Sequence, residues 1–129
     1  MKYTIQINSS PYQSNSAETA YQFIKSALDM GHEVIRVFFY QEGAYHAFRH
    51  ATPPDDEVQV VTRWSTLARE YGIDLVVCIS AAQRRGLLEK NEARRQGKTD
   101  NDVADGFRIA GLGLWVEAIL EADRFIEFS

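Results

Sequence analysis

The sequence contains a single cysteine, Cys78, among its 129 residues. One cysteine excludes a disulfide within the chain, so nothing in the sequence indicates an oxidising compartment. No apolar run approaches the roughly 20 residues that a membrane-spanning helix needs. The N-terminal MKYTIQINSS also has too short an apolar run for a signal peptide. We therefore expect a cytoplasmic protein that does not contact the membrane.

The chain also carries little excess charge, with a formal net charge of −4 and a sequence pI of about 5.3. This balance gives no general attraction to nucleic acid or to an anionic membrane surface. The composition, 45% hydrophobic and 25% charged, is that of an ordinary globular protein. Because no repeat, low-complexity segment or linker divides the sequence, we expect one domain over residues 1–129.

Apolar periodicity predicts an alternation of strands and helices. The segment 73–79 is apolar on both faces, which is typical of a central strand in a parallel sheet. Alternation at this spacing predicts an α/β fold: a doubly wound, mostly parallel sheet covered by helices on both faces. The predicted strands are 3–8, 33–40, 73–79, 106–110 and 124–128, and the predicted helices are 17–30, 57–71 and 112–122.

Two segments between these elements are less regular. Residues 41–56 form a long connection that we expect Pro53 and Pro54 to keep extended, with Asp55 or Asp56 starting the next helix. In that helix, the predicted buried residues are Val58, Val61, Trp64, Leu67 and Ala68. Residues 84–105 are polar and predict a short helix or a loop.

Cys78 lies near the carboxyl end of the predicted third strand, the edge at which α/β proteins place their ligands and chemistry. A free cysteine is often only a small buried apolar residue. A reactive one must be a thiolate, which positive charge or a helix N-terminus favours. Arg84, Arg85 and a turn into a helix after the strand can supply both features. The residues alone leave both interpretations open.

One chemistry suggested by this segment is phosphate-ester hydrolysis, because Cys78 and Arg84 match the C-x5-R spacing of cysteine-dependent phosphatases. The match also resembles the loop of rhodanese-type sulfurtransferases. Residues 79–83 contain no glycine to help the loop curl around a phosphate, and Arg85 stands where Ser or Thr usually follows. A phosphatase also needs a carboxylic acid as general acid, and the candidates in the sequence are Asp55, Asp56, Asp100 and Asp102.

The other chemistry is sulfur relay, in which a thiolate accepts a sulfane sulfur as a persulfide and an acceptor thiolate attacks the outer sulfur. This chemistry needs one accessible cysteine and no resolving cysteine in the same chain. A neighbouring thiol would release the sulfur and form a disulfide. The single Cys78 fits that requirement.

Six stretches, in order and at matching spacing, make the sequence resemble the DsrE/TusD family of intracellular sulfurtransferases. The resemblance extends over nearly the whole chain, and in this pattern Ser80 stands where we expect alanine. The stretches are INSSPYQ (7–13), GHEVIRVFFYQEG (31–43), TPPDDE (52–57), LVVCISAAQRRG (75–86), GFRIAGLG (106–113) and EADRFIEF (121–128).

The resemblance implies a sulfurtransferase in which Cys78 carries a persulfide. From the residues beside it, we expect Arg84 or Arg85 to stabilise the anionic sulfur or to dock a partner. It also implies two homologous smaller subunits in a heterohexamer, and small sulfur-carrier proteins as donor and acceptor. The pathway is then either sulfur oxidation, with a DsrC-like acceptor, or tRNA 2-thiouridine synthesis. PYQ, TPP and AAQRRG look nearer to the sulfur-oxidation branch. No cofactor, metal or direct nucleic-acid contact is expected. The alternatives are the phosphatase and a structural subunit whose cysteine is merely buried.

Other possible sites carry weaker signals. His46 and His50 are spaced i, i+4 as metal ligands on a helix would be, but no third ligand is evident, so we expect surface or interface histidines. The GLG at 111–113 lacks the next glycine of a dinucleotide-binding loop, because position 116 is valine. The first strand also lacks the acidic pair of a magnesium-dependent phosphoacceptor site.

Two surface features favour partner proteins. Tyr45 and Phe48, in the long connection, are predicted subunit contacts because exposed aromatic residues favour interfaces. The segment 84–98 forms a local positive patch on an acidic protein, which can steer an acidic carrier towards Cys78. Its basic residues are Arg84, Arg85, Lys90, Arg94, Arg95 and Lys98, against Glu89 and Glu92.

Overall fold

Five parallel strands form one sheet in the order β4-β3-β2-β1-β5 in the computed structural model, which describes residues 1–97 and 102–129. Two residues to which the sequence assigned a role, Lys98 and Asp100, lie outside the described residues. The strands are β1 (Lys2–Ile7), β2 (Glu33–Phe39), β3 (Asp74–Cys78), β4 (Phe107–Ala110) and β5 (Arg124–Phe128). The helices are α1 (Ser16–Asp29), α2 (Val60–Tyr71), α3 (Ile79–Arg84), α4 (Lys90–Arg95) and α5 (Leu112–Glu121), with a 3₁₀ helix over Gln41–Ala47.

One face of the sheet is covered by α1 and α2 through aromatic packing. The Trp64 ring of α2 contacts Phe39 of β2 edge-on at 5.4 Å and Tyr21 of α1 at 5.3 Å. Tyr3 of β1 packs against Phe23 of α1. Burial of these large rings is the main source of stability on this face, because each removes a large apolar area from water.

The other face of the sheet is covered by α5, which is held to the strands by polar contacts. Thr4 of β1 donates a hydrogen bond of 2.8 Å to the Ala118 carbonyl, and Arg36 of β2 donates one of 2.7 Å to the Leu114 carbonyl. Helices on both faces of an all-parallel sheet confirm the predicted doubly wound α/β fold.

The chain between β2 and α2 differs from the prediction in two ways. Residues 41–47 form a 3₁₀ helix and not an extended connection. Gly43 makes this possible, because a Cβ at this position would collide with the Ile7 carbonyl oxygen at the end of β1. The expected start of α2 at Asp55 or Asp56 is wrong: α2 begins at Val60, and Val58 lies outside it, exposed.

Residues 53–59 stay outside the helix because the two prolines are followed by a turn and because the Tyr12 hydroxyl donates a hydrogen bond of 3.0 Å to the Val58 carbonyl. The predicted third strand is also one residue too long at its carboxyl end. Ile79 already belongs to α3 and is 42% exposed. No helix in residues 1–97 and 102–129 has both the length and the apolar character to cross a membrane.

Candidate functional site

Cys78 is the last residue of β3 and is followed directly by the first residue of α3. Its neighbour across the sheet is Ala110, the last residue of β4. Only 2% of Cys78 is exposed, and it packs within the hydrophobic core. The thiol thus lies at the carboxyl edge of the sheet, as predicted, but beneath the surface of the chain.

Side-chain alternation places Cys78 on the face of the sheet that α5 covers. Asp74, four residues earlier on β3, bonds Arg36 and Arg108 on that same face. Because side chains two and four residues apart on a strand point to the same side, Cys78 shares this face. The thiol is therefore on the opposite side of β3 from the aromatic core formed by α1 and α2.

The two arginines predicted to lie near Cys78 have separate positions. Arg85 donates a hydrogen bond of 2.6 Å to the Glu42 carboxylate, and its guanidinium lies 5.7 Å from the centre of the Tyr45 ring. Arg84, at the end of α3, is exposed and has no ion-pair partner within the described part of the chain. Neither guanidinium donates a hydrogen bond to the Cys78 thiol in residues 1–97 and 102–129.

The Glu42–Arg85 ion pair joins α3 to the 3₁₀ helix. Arg85 also donates a hydrogen bond of 3.1 Å to the Ala81 carbonyl, so its side chain folds back over its own helix. Ala81 and Ala82 are buried against the sheet. These contacts fix the helix that follows Cys78. No pattern in the sequence indicates this pair, because its two members are 43 residues apart.

The phosphatase alternative does not fit this geometry. A phosphate-binding loop needs its backbone amides turned inward around an anion. Residues Ile79–Arg84 instead form an α-helix, so the later amides of the segment bond within the helix. The C-x5-R spacing is therefore a coincidence of strand and helix residues.

The metal interpretation of His46 and His50 is also excluded by geometry. His46 is completely buried, which makes the expectation of a surface or interface histidine wrong for this residue. Its Nδ1 accepts a hydrogen bond of 3.0 Å from Trp64 Nε1, so Nε2 carries the proton and donates to the Ser9 carbonyl at 3.0 Å. His50 pairs instead with Asp102. No group of three or more metal-ligating side chains occurs in the described residues.

The pKa of His46 is lowered to about 4, chiefly by burial; the bond to Ser9 opposes this shift and the nearby positive charge of Arg63 adds to it. The imidazole is therefore neutral at physiological pH. It connects the loop after β1 to the 3₁₀ helix and to α2. The role of His46 is structural, and no sequence pattern indicates it because its two partners, Ser9 and Trp64, are distant in sequence.

Among the concave surfaces of the described residues, two lie near the carboxyl edge of the sheet. The larger, of about 650 Å³, contains Tyr45 and Phe48, whose rings stack at 5.2 Å, together with Tyr12 and the ion-paired Glu42. The smaller, of about 390 Å³, lies beside α3 and is bordered by Ile79 and Ile109. The placement of Tyr45 and Phe48 is compatible with the predicted subunit contact.

The parallel sheet with one thiol at its carboxyl edge defines a class: an α/β protein with a strand-end cysteine and no second thiol. Comparison with known proteins then gives the family. A sequence model of the DsrE/DsrF-like family matches residues 1–128. The chain belongs to this family.

The similar proteins include the DsrE protein of Allochromatium vinosum, which is 49% identical over 100% of this chain and 99% of that protein. A protein named "Sulfurtransferase TusD homolog" from Vibrio parahaemolyticus is 41% identical over 99% of this chain and 98% of its own length. "Sulfurtransferase TusD" from Cronobacter sakazakii is 41% identical over 99% of this chain and all of that protein.

The solved structure of the ychN protein from E. coli has a TM-score of 0.78 and covers 99% of both chains at 18% identity, which shows the fold. The resemblance inferred from the six sequence stretches is confirmed, and the chain is a sulfurtransferase of the DsrE family.

Proposed function

We propose that Cys78 carries sulfane sulfur as a persulfide in a sulfur relay. The observation that carries this proposal is the placement of the chain's only cysteine at the carboxyl end of a central strand, immediately before a helix. In a member of a sulfurtransferase family, the only cysteine of the sequence is the one thiol in it able to hold the transferred sulfur. The absence of any second cysteine prevents loss of the sulfur through an internal disulfide.

The proposed reaction has two balanced steps. The Cys78 thiolate attacks the outer sulfur of a donor persulfide, forming Cys78–S–SH and releasing the donor thiol. An acceptor thiolate then attacks the outer sulfur of Cys78–S–SH, which returns Cys78 as the thiolate and leaves the acceptor as a persulfide. Neither step requires a redox cofactor, because sulfur moves between thiols without net oxidation.

The groups proposed to stabilise the anionic sulfur are the first backbone amides of α3 and the guanidinium of Arg84. The first amides of a helix have no partners within it and point back towards the preceding residue. Arg84 is the better candidate of the two arginines, since Arg85 is already paired with Glu42. Arg85 then acts by positioning α3.

The burial of Cys78 requires a partner that reaches the thiol with a narrow segment or that shifts α3. We propose that the chain works in a cytoplasmic heterohexamer with two homologous smaller subunits, between small donor and acceptor carriers. Support comes from α5, which exposes three apolar side chains spaced four residues apart: Leu112, Val116 and Leu120. Such a stripe on a soluble monomer is typical of a protein interface.

We propose sulfur oxidation, with a DsrC-like acceptor, as the pathway, and tRNA 2-thiouridine synthesis as the alternative. The identity of 49% to the DsrE protein against 41% to the TusD proteins supports this order. Both pathways use the same chemistry at Cys78.

The test is intact-mass measurement after incubation with a sulfane-sulfur donor. We expect the protein to gain one sulfur atom, to lose it on treatment with reductant, and to show no gain in the Cys78→Ser variant. An unchanged mass, together with a thiol that resists alkylation at neutral pH, would favour the structural-subunit alternative.

A further inference from the structure

A third concave surface, of about 150 Å³, lies under the first turn of α5; we call it the α5 pocket. Its lining residues are Gln6, Phe38, Tyr40, Leu112 and Trp115. The pocket therefore lies on the face of the sheet that α5 covers, which is also the face of the Cys78 side chain. The cleft beside α3 differs in this respect, because its Ile109 alternates with Arg108 on β4 and points to the opposite face.

Tyr40 places the α5 pocket beside Cys78. The register between β2 and β3 ends with Phe39 beside Val77. The residues that follow these two, Tyr40 and Cys78, are therefore neighbours, about 4.8 Å apart across the sheet. Because the backbone of Tyr40 is extended, its side chain lies on the same face as that of Phe38, with the two ring centres 6.5 Å apart. The wall of the pocket that belongs to β2 thus adjoins the thiol.

Leu112 brings the opposite wall of the pocket near Cys78 as well. It follows Ala110, the register partner of Cys78 on β4, by two residues. Leu112 is 51% exposed, so it covers the pocket only in part. The buried thiol therefore has a lining residue of the pocket close to it on the side of β2 and another on the side of β4.

The polar groups of the pocket differ in whether they are already paired. Trp115 Nε1 donates a hydrogen bond of 2.6 Å to Gln6 Oε1, and Gln6 Nε2 donates one of 2.9 Å to Asn8. The Tyr40 hydroxyl has no hydrogen-bond partner among residues 1–97 and 102–129. None of the five lining side chains is charged. The pocket thus presents aromatic and aliphatic surface together with one hydroxyl that can still donate.

Such a surface suits a sulfur atom better than a charged group. Aromatic rings make favourable contacts with polarizable sulfur, whereas a carboxylate loses its hydration in apolar surroundings without compensation. An apolar cavity of about 150 Å³ can hold a molecule of the size of benzene, so the α5 pocket has room for a cysteine side chain. A persulfide on Cys78 needs room of this kind, because the interior around a buried thiol is close-packed.

We propose that the α5 pocket holds the outer sulfur of the Cys78 persulfide and admits an acceptor thiol on an otherwise uncharged segment, with the Tyr40 hydroxyl hydrogen-bonded to the transferred sulfur. This inference rests on the proposed function and adds the chemical class of the acceptor segment. In the pocket, the acceptor thiolate forms a bond to the outer sulfur while the bond from that sulfur to Cys78 breaks. The electron pair of the broken bond leaves with Cys78 as its thiolate, so no oxidant is needed.

The first experiment measures alkylation of Cys78 by two reagents of nearly equal size, neutral iodoacetamide and anionic iodoacetate. Each rate is divided by the rate of the same reagent with a small free thiol. We expect the normalised rate of iodoacetamide to be about ten times that of iodoacetate, because the carboxylate would have to enter an uncharged pocket. A preference for iodoacetate would overturn the inference, since positive charge near the thiol would then control access.

Two substitutions at Leu112 change the opening of the pocket in opposite directions. Leu112→Ala should speed alkylation by iodoacetamide several-fold, and Leu112→Phe should slow it several-fold. Met30→Phe, at an exposed position after α1, is the control and should leave the rate unchanged. Thermal unfolding checks that each variant is folded. A change in the same direction in both Leu112 variants would indicate a general disturbance of α5 and would contradict the role of the pocket.

The second experiment measures sulfur transfer from persulfide-loaded protein to N-acetylcysteine amide and to N-acetylcysteine, at equal thiolate concentrations. The amide should accept sulfur about ten times faster, for the same reason as above. Tyr40→Phe keeps the ring and removes the hydroxyl, so it should slow transfer several-fold and leave alkylation by iodoacetamide unchanged. Tyr71→Phe, at an exposed position at the end of α2, is the matched control and should change neither rate.

The outcomes separate this inference from the proposed function. Equal normalised rates for the neutral and the anionic compound in both experiments would overturn the inference, while a protein that still gains one sulfur would leave the proposed function intact. Transfer by Tyr40→Phe at the unmodified rate would contradict the role of the hydroxyl. Failure to load sulfur would overturn the proposed function, and with it the assignment of the pocket to the outer sulfur.

Discussion

The polar side chains at the two ends of the central strand β3 differ in whether they have hydrogen-bond partners. At the amino end, Asp74 bonds Arg36 at 2.6 Å and Arg108 at 2.7 Å, so one carboxylate serves two guanidinium groups. At the carboxyl end, Cys78 is more deeply buried and receives no hydrogen bond from either nearby arginine.

In this fold, the difference in hydrogen-bond partners separates structural charge from reactive groups. A group whose polar capacity is fully used by fixed partners holds elements together. A group that remains unpaired at the edge where ligands bind is available for chemistry. The same distinction divides Arg85, which is paired, from Arg84, which has no ion-pair partner within residues 1–97 and 102–129.

The largest expected effect comes from removing the carboxyl-end thiol. Cys78→Ala should eliminate sulfur transfer to an acceptor thiol, since no other side chain in the sequence can hold a persulfide. The free energy of unfolding should fall by only about 1 kcal/mol, because a small apolar side chain replaces another. Transfer assays and urea denaturation check the two parts. A variant that retains transfer would contradict the proposed role.

The second effect is a difference in how the groups at the carboxyl and amino edges of the sheet make stability depend on pH. The pKa of His46, in the 3₁₀ helix that follows β2 at the carboxyl edge of the sheet, is lowered to about 4 from 6.5. In the unfolded chain, His46 therefore binds a proton below about pH 6.5, whereas in the folded protein it binds one only below about pH 4. The contribution of neutral His46 to the free energy of unfolding is fully present above pH 6.5. The free energy of unfolding should decline by about 3 kcal/mol towards pH 4. Urea denaturation at a series of pH values measures this.

The control for this window is His46→Gln, which should flatten the decline between pH 6.5 and 4.

The contribution of the amino end of β3 to stability should be lost only at lower pH. Burial raises the pKa of Asp74, but the hydrogen bonds and charges of Arg108 and Arg36 outweigh it and lower the pKa below the ordinary 3.8. The contribution of Asp74 is thus present above pH 3.8 and is lost only as pH falls further. An equal decline in protein and variant would contradict the assignment to His46.

The third effect tests whether the amino end is structural only. Asp74→Asn should lower the free energy of unfolding by about 2 kcal/mol, because it leaves the nearly buried Arg36 without its full countercharge. Sulfur loading at Cys78 should be unchanged. Asp105→Asn, at an exposed position, is the matched control and should have almost no effect on stability. A loss of loading in Asp74→Asn without unfolding would show that the two ends are coupled.

The smallest effect compares the two neighbouring arginines. Arg85→Ala should lower stability by about 0.5–1 kcal/mol, since it breaks a partly exposed ion pair with Glu42. Arg84→Ala should leave stability unchanged and slow alkylation of the Cys78 thiol several-fold if its charge favours the thiolate. Thermal unfolding and timed alkylation at neutral pH give both quantities. The reverse assignment of the two effects would identify Arg85 as the group acting on the thiol.

Much of the fold was predictable because it depends on local patterns. The apolar run of β3 and the periodic faces of α1 and α5 are signals that stand within short windows of sequence. The position of Cys78 at the carboxyl edge followed from the same patterns, and the family resemblance followed from six ordered stretches.

The features that were not predicted depend on contacts between distant residues. The 3₁₀ helix forms where Gly43 meets the end of β1, and His46 is buried because Ser9 and Trp64 satisfy both ring nitrogens. The sequence also could not show that Arg85, and not Arg84, forms the ion pair with Glu42. Adjacent residues on a helix point about 100° apart, and only the position of Glu42 decides which one is paired.

The most direct test of Cys78 as a carrier follows one labelled sulfur atom through the protein. Protein loaded from a ³⁴S-labelled donor is separated from excess donor and exposed to an acceptor thiol, and the peptide containing residue 78 and the acceptor are both weighed. We expect the label to appear first on the Cys78 peptide and then, in equal amount, on the acceptor. A label that reaches the acceptor as well in the Cys78→Ala variant, or that stays on Cys78 when acceptor is present, would contradict this expectation.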